Sequence, residues 1–193
     1  MAEFSHLDED GSARMVDVSS KPVVRRTAVA AGKISLSAET VRMIREKLIE
    51  KGDVLTVARI AGTMGAKRTP DLIPLAHSLG LDHAHVECTL ESDGVSIRGT
   101  ARCTGRTGVE MEALAAVSVA ALTIYDMCKA VDGNMEIGAI HLLEKRKEAA
   151  DGGDQPGATG KAPREPEAGT TTPGPKAGNA PDGPDASPRR EDL

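Results

Sequence analysis

His83-Ala84-His85-Val86-Glu87-Cys88-Thr89-Leu90-Glu91-Ser92-Asp93-Gly94-Val95-Ser96-Ile97-Arg98-Gly99-Thr100-Ala101-Arg102-Cys103 is the stretch that decides the fold. Two alternating runs, 83–90 and 95–103, flank the turn Glu91-Ser92-Asp93-Gly94. Asp-Gly between such runs is a hairpin signal, so these strands are expected to be antiparallel neighbours. Toward the C-terminus, Gly105 and Gly108 break the chain and a helix is expected from about Val109 to Val131. It is apolar nearly all round from Ala113 to Tyr125, which implies burial on more than one side. Asp132-Gly133-Asn134 ends it, and Ile137 to Leu143 reads as a last strand.

Toward the N-terminus, Pro70 and Pro74 make 69–80 a loop or a short turn of helix. Asp53 opens a helix whose apolar stripe is expected to be Val54, Val57, Ile60, Ala61 and Met64. An earlier helix has Ser37 as N-cap, carries Val41, Ile44 and Leu48, and closes at Gly52. Before it come an edge segment with Met15-Val16-Asp17-Val18 and Val23-Val24, then a first strand over roughly 26–34. The order β-α-α-β-β-α-β predicts an α+β fold: a ferredoxin-like antiparallel four-stranded sheet with helices packed on one face, plus a disordered C-terminal tail.

The tail follows from composition. Residues 151–193 hold 8 of the 11 prolines, 8 of the 20 glycines and a single large aliphatic residue, Leu193. Such a segment buries too little apolar surface to offset its ordering entropy. The expected organisation is a flexible 1–13, a single catalytic domain over 14–150 and a disordered 151–193. The net charge of −5 divides into −3 on the tail and −2 on the rest, far from the basic excess of nucleic-acid-binding domains. With one Phe, one Tyr and no Trp, base stacking has almost nothing to work with. No basic region precedes an apolar run at the N-terminus, and the longest uncharged apolar run, Ala113–Tyr125, is short for a bilayer. Cys88, Cys103 and Cys128 are odd in number and form no CxxC, which suits reduced thiols and a cytoplasmic location.

No phosphate loop or dinucleotide fingerprint is present. The long helix is more informative. Glu110 and Glu112 at its start suit the macrodipole. Asp126 near its end does not: burial and the dipole both disfavour a carboxylate there, and Lys129 at i+3 is its natural partner. Glu112 and Asp126 lie about 21 Å apart along the axis, so if both serve one small substrate, a second subunit supplies one of them. His77 stands in a proline-stiffened loop and can act as acid, base or ligand. His83 and His85 share one strand face and could hold a metal with His77 or Cys88. Lys51, just before Gly52, reads by itself as a helix C-terminal cap.

Several stretches resemble the cyclic pyranopterin monophosphate synthase family, the C protein of molybdenum cofactor biosynthesis. They are Met15-Val16-Asp17-Val18-Ser19, Lys51-Gly52-Asp53-Val54, Ala58-Arg59-Ile60-Ala61-Gly62, Ala66-Lys67-Arg68-Thr69 and Asp71-Leu72-Ile73-Pro74-Leu75. The longest are Thr107-Gly108-Val109-Glu110-Met111-Glu112-Ala113-Leu114 and Ala120-Ala121-Leu122-Thr123-Ile124-Tyr125-Asp126-Met127-Cys128-Lys129-Ala130-Val131. The resemblance implies a lyase that converts 3′,8-cyclo-7,8-dihydroguanosine 5′-triphosphate, the product of a radical SAM GTP cyclase, to cyclic pyranopterin monophosphate and pyrophosphate. It implies a homohexamer, a trimer of dimers with sites at subunit interfaces, no nucleic-acid or membrane partner, and no cofactor beyond magnesium that can accompany the triphosphate.

By the same resemblance, Asp126, Lys51 and Lys129 are catalytic, and a lysine beside other cations has a lowered pKa that suits proton transfer. Leu75, Ala76, His77, Met111, Glu112 and Glu110 are expected to contact substrate, with Glu112 accepting from the guanine-derived N–H edge. Lys21, Arg26 and Lys67 are expected at the triphosphate. Asp17 and Lys145 also match site positions, and no metal-ligating residue is implied. The chain departs from the family at Leu75-Ala76-His77-Ser78-Leu79, where members usually read Leu-Cys-His-Pro-Leu, so the histidine loop is expected to be looser. After Lys145, Arg146-Lys147-Glu148 replaces a Gly/Ser/Lys-rich run and is expected to lead into the tail. The alternatives are a non-catalytic pterin- or nucleotide-binding oligomer of the same fold, and a metal module on His77, His83 and His85.

Overall fold

The computed structural model describes residues 12–149. Nearly all of the segment 1–13 and all of the tail 151–193 lie outside the described residues. The elements are β1 (Val24–Ser35), α1 (Ala38–Arg45), α2 (Val54–Lys67), α3 (Thr69–Leu72), β2 (Leu81–Leu90), β3 (Gly94–Gly105), α4 (Glu110–Cys128) and β4 (Glu136–Ala149). The strands form one sheet in the order β2-β3-β1-β4, with every neighbouring pair antiparallel. This is the α+β sheet expected from the sequence.

The hairpin is closed by Glu91 N–H donating to Gly94 O at 2.8 Å. Gly94 has φ +154°, and a Cβ there would overlap the Ile34 carbonyl, so glycine is required where β1 crosses the turn. Along β1, Ala28, Ala30 and Ile34 are buried beneath α4, while Arg25, Thr27 and Val29 lie on the opposite face with Arg98, Thr100 and Arg102. Alternation along the strand thus separates a helix-covered core from a polar, arginine-rich face.

Helix α4 lies in the middle of the core: Ala113, Ala116, Val117, Ala120, Ala121 and Ile124 are all essentially inaccessible. It is long and apolar enough to cross a membrane by length and composition, and its buried side is spent on the sheet and on α2.

Several expectations need correction. The segment Met15–Val18 is not a strand. Helix α1 stops at Arg45, short of Gly52, because Lys47 adopts φ +58° and turns the chain. The packing stripe of α2 is Val54, Ala58, Gly62, Gly65 and Ala66, whereas Val57, Ile60 and Met64 face outward. Small residues win that seam because α4 approaches closely: a Cβ on Gly62 would stand 2.6 Å from Ala116 O. Strand β4 continues through Arg146-Lys147-Glu148, which pair with Thr27, Arg26 and Arg25 instead of leaving the sheet.

Candidate functional site

The two ends of α4 carry two constellations. At its start, a cavity of about 230 Å³ is lined by Val16, Val18, Lys21, Leu75, Ala76, His77, Leu79, Thr107, Gly108, Glu110, Met111 and Glu112. Three stretches distant in sequence meet there: the segment before β1, the loop after α3 and the first turn of α4.

Glu112 is 3% exposed, and its Oε2 has no hydrogen-bond partner among the described residues. Burial pushes its carboxyl pKa up, and the neighbouring Glu110 charge adds to this. Glu110 behaves oppositely. Burial alone would raise it, but the Lys145 ammonium and the helix backbone N–H outweigh that and hold it below the usual carboxylate range. Lys145 reaches it from β4 in a direct ion pair. The pair therefore offers one fixed anion and one buried carboxyl whose free oxygen needs a donor.

The histidine loop is tied on both sides. Ala76 N–H donates to Ile73 O at 3.0 Å, and His77 Nε2 lies 2.8 Å from Val16 O. The expected loosening at Ser78 is thus opposed by an anchor from the segment before β1. Asp17 receives Ser19 N–H at 2.8 Å, and its hydrogen bonds to Ser19 lower its pKa. Arg26 donates from Nε to Gly105 O at 3.2 Å and from Nη2 to Arg106 O at 2.9 Å, bracing the loop that leads to Gly108. Neither Arg26 nor Lys67, in the last turn of α2, lines the cavity.

At the other end of α4, Lys51 Nζ donates to Asp126 Oδ2 at 2.9 Å and to Asp126 O at 2.7 Å, and Lys129 Nζ lies 2.7 Å from Asp126 Oδ1. Lys51 does cap a helix C-terminus, but that of α4. Asp126 is well exposed, so burial is not what it has to overcome. Hydrogen bonds and charge from Lys129, then Lys51, hold its pKa at about 2. Lys129 is correspondingly raised by the Asp126 carboxylate it pairs with. Within one chain the lysines meet a carboxylate first. At neutral pH Asp126 is an ionised acceptor held between Lys51 Nζ and Lys129 Nζ.

The cavity includes none of Lys51, Asp126 and Lys129. The structure thus gathers most of the expected residues into two groups at the two ends of α4, leaves Asp17, Arg26 and Lys67 outside the cavity, and does not join the groups within the chain. Val16, Val18, Leu79, Thr107 and Gly108 line the cavity without having been expected there. The signal for Gly108 was visible: it breaks the chain just before the helix, and a Cβ there would collide with the Glu110 carboxylate. His83 and His85 stack at 6.1 Å on β2, but no group of three His, Cys, Asp or Glu converges on a metal site among the described residues.

An α+β scaffold with a polar cavity at one helix terminus and a Lys-Asp-Lys cluster at the other is suited to hold a small anionic molecule and to move protons. A family model described as the MoaC family matches residues 15–148. The chain is 57% identical over 146 residues to a protein of Chloroflexus aurantiacus named cyclic pyranopterin monophosphate synthase, covering 75% of this chain and 90% of the relative. It is 61% identical over 143 residues to cyclic pyranopterin monophosphate synthase 1 of Mycobacterium bovis, covering 74% and 84%. The chain belongs to the MoaC family.

Proposed function

We propose that this chain is a cyclic pyranopterin monophosphate synthase, a lyase of molybdenum cofactor biosynthesis. It converts 3′,8-cyclo-7,8-dihydroguanosine 5′-triphosphate to cyclic pyranopterin monophosphate and pyrophosphate. The observation that carries the reading is the cavity at the start of α4, which gathers Lys21, Leu75, Ala76, His77, Glu110, Met111 and Glu112.

Glu112 receives the N–H edge of the guanine-derived ring, which satisfies its orphaned Oε2. Lys145 keeps Glu110 charged beside it. Lys21, on the cavity wall, neutralises the triphosphate, and Arg26 and Lys67 contribute charge from outside the cavity of the single chain. The reaction opens a ring, closes a pterin and displaces pyrophosphate by a hydroxyl, so protons must be moved several times. Lys51 and Lys129 donate them, and Asp126 orients both ammonium groups. No cofactor is required, and magnesium accompanies the triphosphate through phosphate oxygens.

A homohexamer with ferredoxin-like subunits, a trimer of dimers, completes the site. Two features support this: the separation of the two constellations along α4, and the outward apolar residues Val57, Ile60 and Met64 on α2 with Leu122 on α4. The cell compartment is the cytoplasm, in keeping with three free cysteines, of which burial pushes Cys88 and Cys128 up to about 11. The enzyme acts downstream of a radical SAM GTP cyclase, without nucleic-acid or membrane partners.

Turnover of the cyclised substrate, followed by pyrophosphate release and by pterin formation, tests the reading on wild type and Lys51→Ala. Wild type is expected to release both products, and Lys51→Ala to lose at least about 100-fold in kcat. Tight binding without release by either protein overturns the lyase assignment in favour of a binding oligomer.

A further inference from the structure

The segment before β1 has no regular secondary structure, yet it forms one wall of the cavity through Val16, Val18 and Lys21. It is fastened at two points. His77 Nε2 meets Val16 O at 2.8 Å, and Arg106 Nε donates to Lys21 O at 3.1 Å. Between these points the chain is folded tightly: Lys21 N–H donates to Val18 O at 3.0 Å, and Asp17 Oδ1 accepts from Ser19 N–H. Pro22 follows at once and fixes the direction in which the segment feeds β1.

A carbonyl oxygen can only accept. Nε2 of His77 therefore carries the hydrogen, and in the neutral ring Nδ1 carries the lone pair. Among the described residues, the hydrogen bond given for the ring is the one its Nε2 makes to Val16 O. His77 also stands between two cavities. One holds Glu110 and Glu112; the other, of about 300 Å³, is lined in part by Ser78, Thr104, Arg106 and Thr107.

We infer that the segment before β1 is a working part of the site: the Val16 carbonyl sets the tautomer of His77 so that Nδ1 is the nitrogen that accepts from substrate, and Arg106 is the positioning residue that holds the segment in place. The backbone carbonyl does what a carboxylate does for many functional histidines, and it costs the cavity no extra charge. Arg106 acts through Lys21 O, to which its Nε donates. The inference rests on the proposed site for its catalytic meaning, but the tautomer itself can be read without any turnover.

The test is a long-range proton–nitrogen spectrum of the full chain labelled with imidazole-15N histidine, recorded where the ring is neutral. The His77 signals are identified by their loss in His77→Gln. The Nε2–H pattern is expected for wild type. Arg106→Ala is expected to give a mixed-tautomer pattern at His77 and a loss of about 10–100-fold in kcat with KM changed less than threefold. Arg106→Lys, which keeps a donor for the Lys21 carbonyl, is expected to restore both. An Nδ1–H pattern in wild type overturns the inference whatever the variants do. An unchanged Nε2–H pattern in Arg106→Ala, with activity lost, removes Arg106 from the positioning role. An Nε2–H pattern that Arg106→Ala disturbs, in a protein that turns nothing over, supports the positioning and refutes the lyase assignment instead.

Discussion

Glu112 is where local stability and proposed function conflict most plainly. A carboxyl that is 3% exposed with an unpartnered oxygen is a cost to folding that a ligand donor removes. The pH dependence follows from the direction of its shift. Below the ordinary value of 4.5 the group is neutral folded or unfolded and contributes no difference. As pH rises past 4.5 the unfolded chain releases its proton first, the folded state holds its own, and stability falls until the raised folded pKa is passed. Glu112→Gln removes that slope. The variant is expected to match wild type in thermal unfolding at pH 4 and to exceed it by about 2–5 °C at pH 8. Its kcat/KM is expected to fall about 10–100-fold, the worth of hydrogen bonds to a charged acceptor. A variant that is no more stable at pH 8, measured by calorimetry across that range, shows that Glu112 is already satisfied without substrate.

Helices α2 and α4 show how far sequence reading reaches at the scale of elements. The hairpin, the order of elements along the chain and the long apolar helix were legible because alternation, an Asp-Gly turn and continuous apolarity are local signals. The inward side of α2 was not. Val57, Ile60 and Met64 make the more hydrophobic stripe, yet Ala58, Gly62 and Gly65 face α4. A periodicity argument ranks stripes by hydrophobicity, whereas close helix approach selects for small size, and nothing within α2 reveals how near its partner lies. The end of β4 was misread for a similar reason: Arg146-Lys147-Glu148 looks like a solvated run, and only its register with Thr27, Arg26 and Arg25 makes it a strand. The α2–α4 seam gives a sharp test. Gly62→Ala gains roughly 1 kcal/mol of helix propensity. Its methyl, however, would meet a carbonyl oxygen at 2.6 Å, Val86 Cγ2 at 3.0 Å and Ala120 Cβ at 3.1 Å. Overpacking of that kind costs about 1–3 kcal/mol, and a backbone atom cannot swing aside. The unfolding temperature of Gly62→Ala is expected to fall; a rise would mean that the two helices can separate without loss.

At the scale of the whole molecule the two constellations on α4 pose one question. Each was legible as a set of residues from the family resemblance, and the cavity brought one set together. What no single chain supplies is a path from Glu112 at the first turn to Asp126 near the last. The helix holds them apart along its axis, and the cavity at its start contains no member of the Lys-Asp-Lys cluster. On the proposed reading, a substrate read by Glu112 and acted on by Lys51 meets residues of two chains. This arrangement has a numerical signature. Lys51→Ala and Glu112→Gln are each expected to have lost most activity as pure assemblies. When the two variants are unfolded together and reassembled at equal amounts, random pairing places an intact Lys51 opposite an intact Glu112 in about one quarter of sites. Activity in the mixture is expected to rise toward about a quarter of wild type, far above either variant alone. If both residues served a site within one chain, every chain in the mixture would still carry one defect, and mixing would restore nothing.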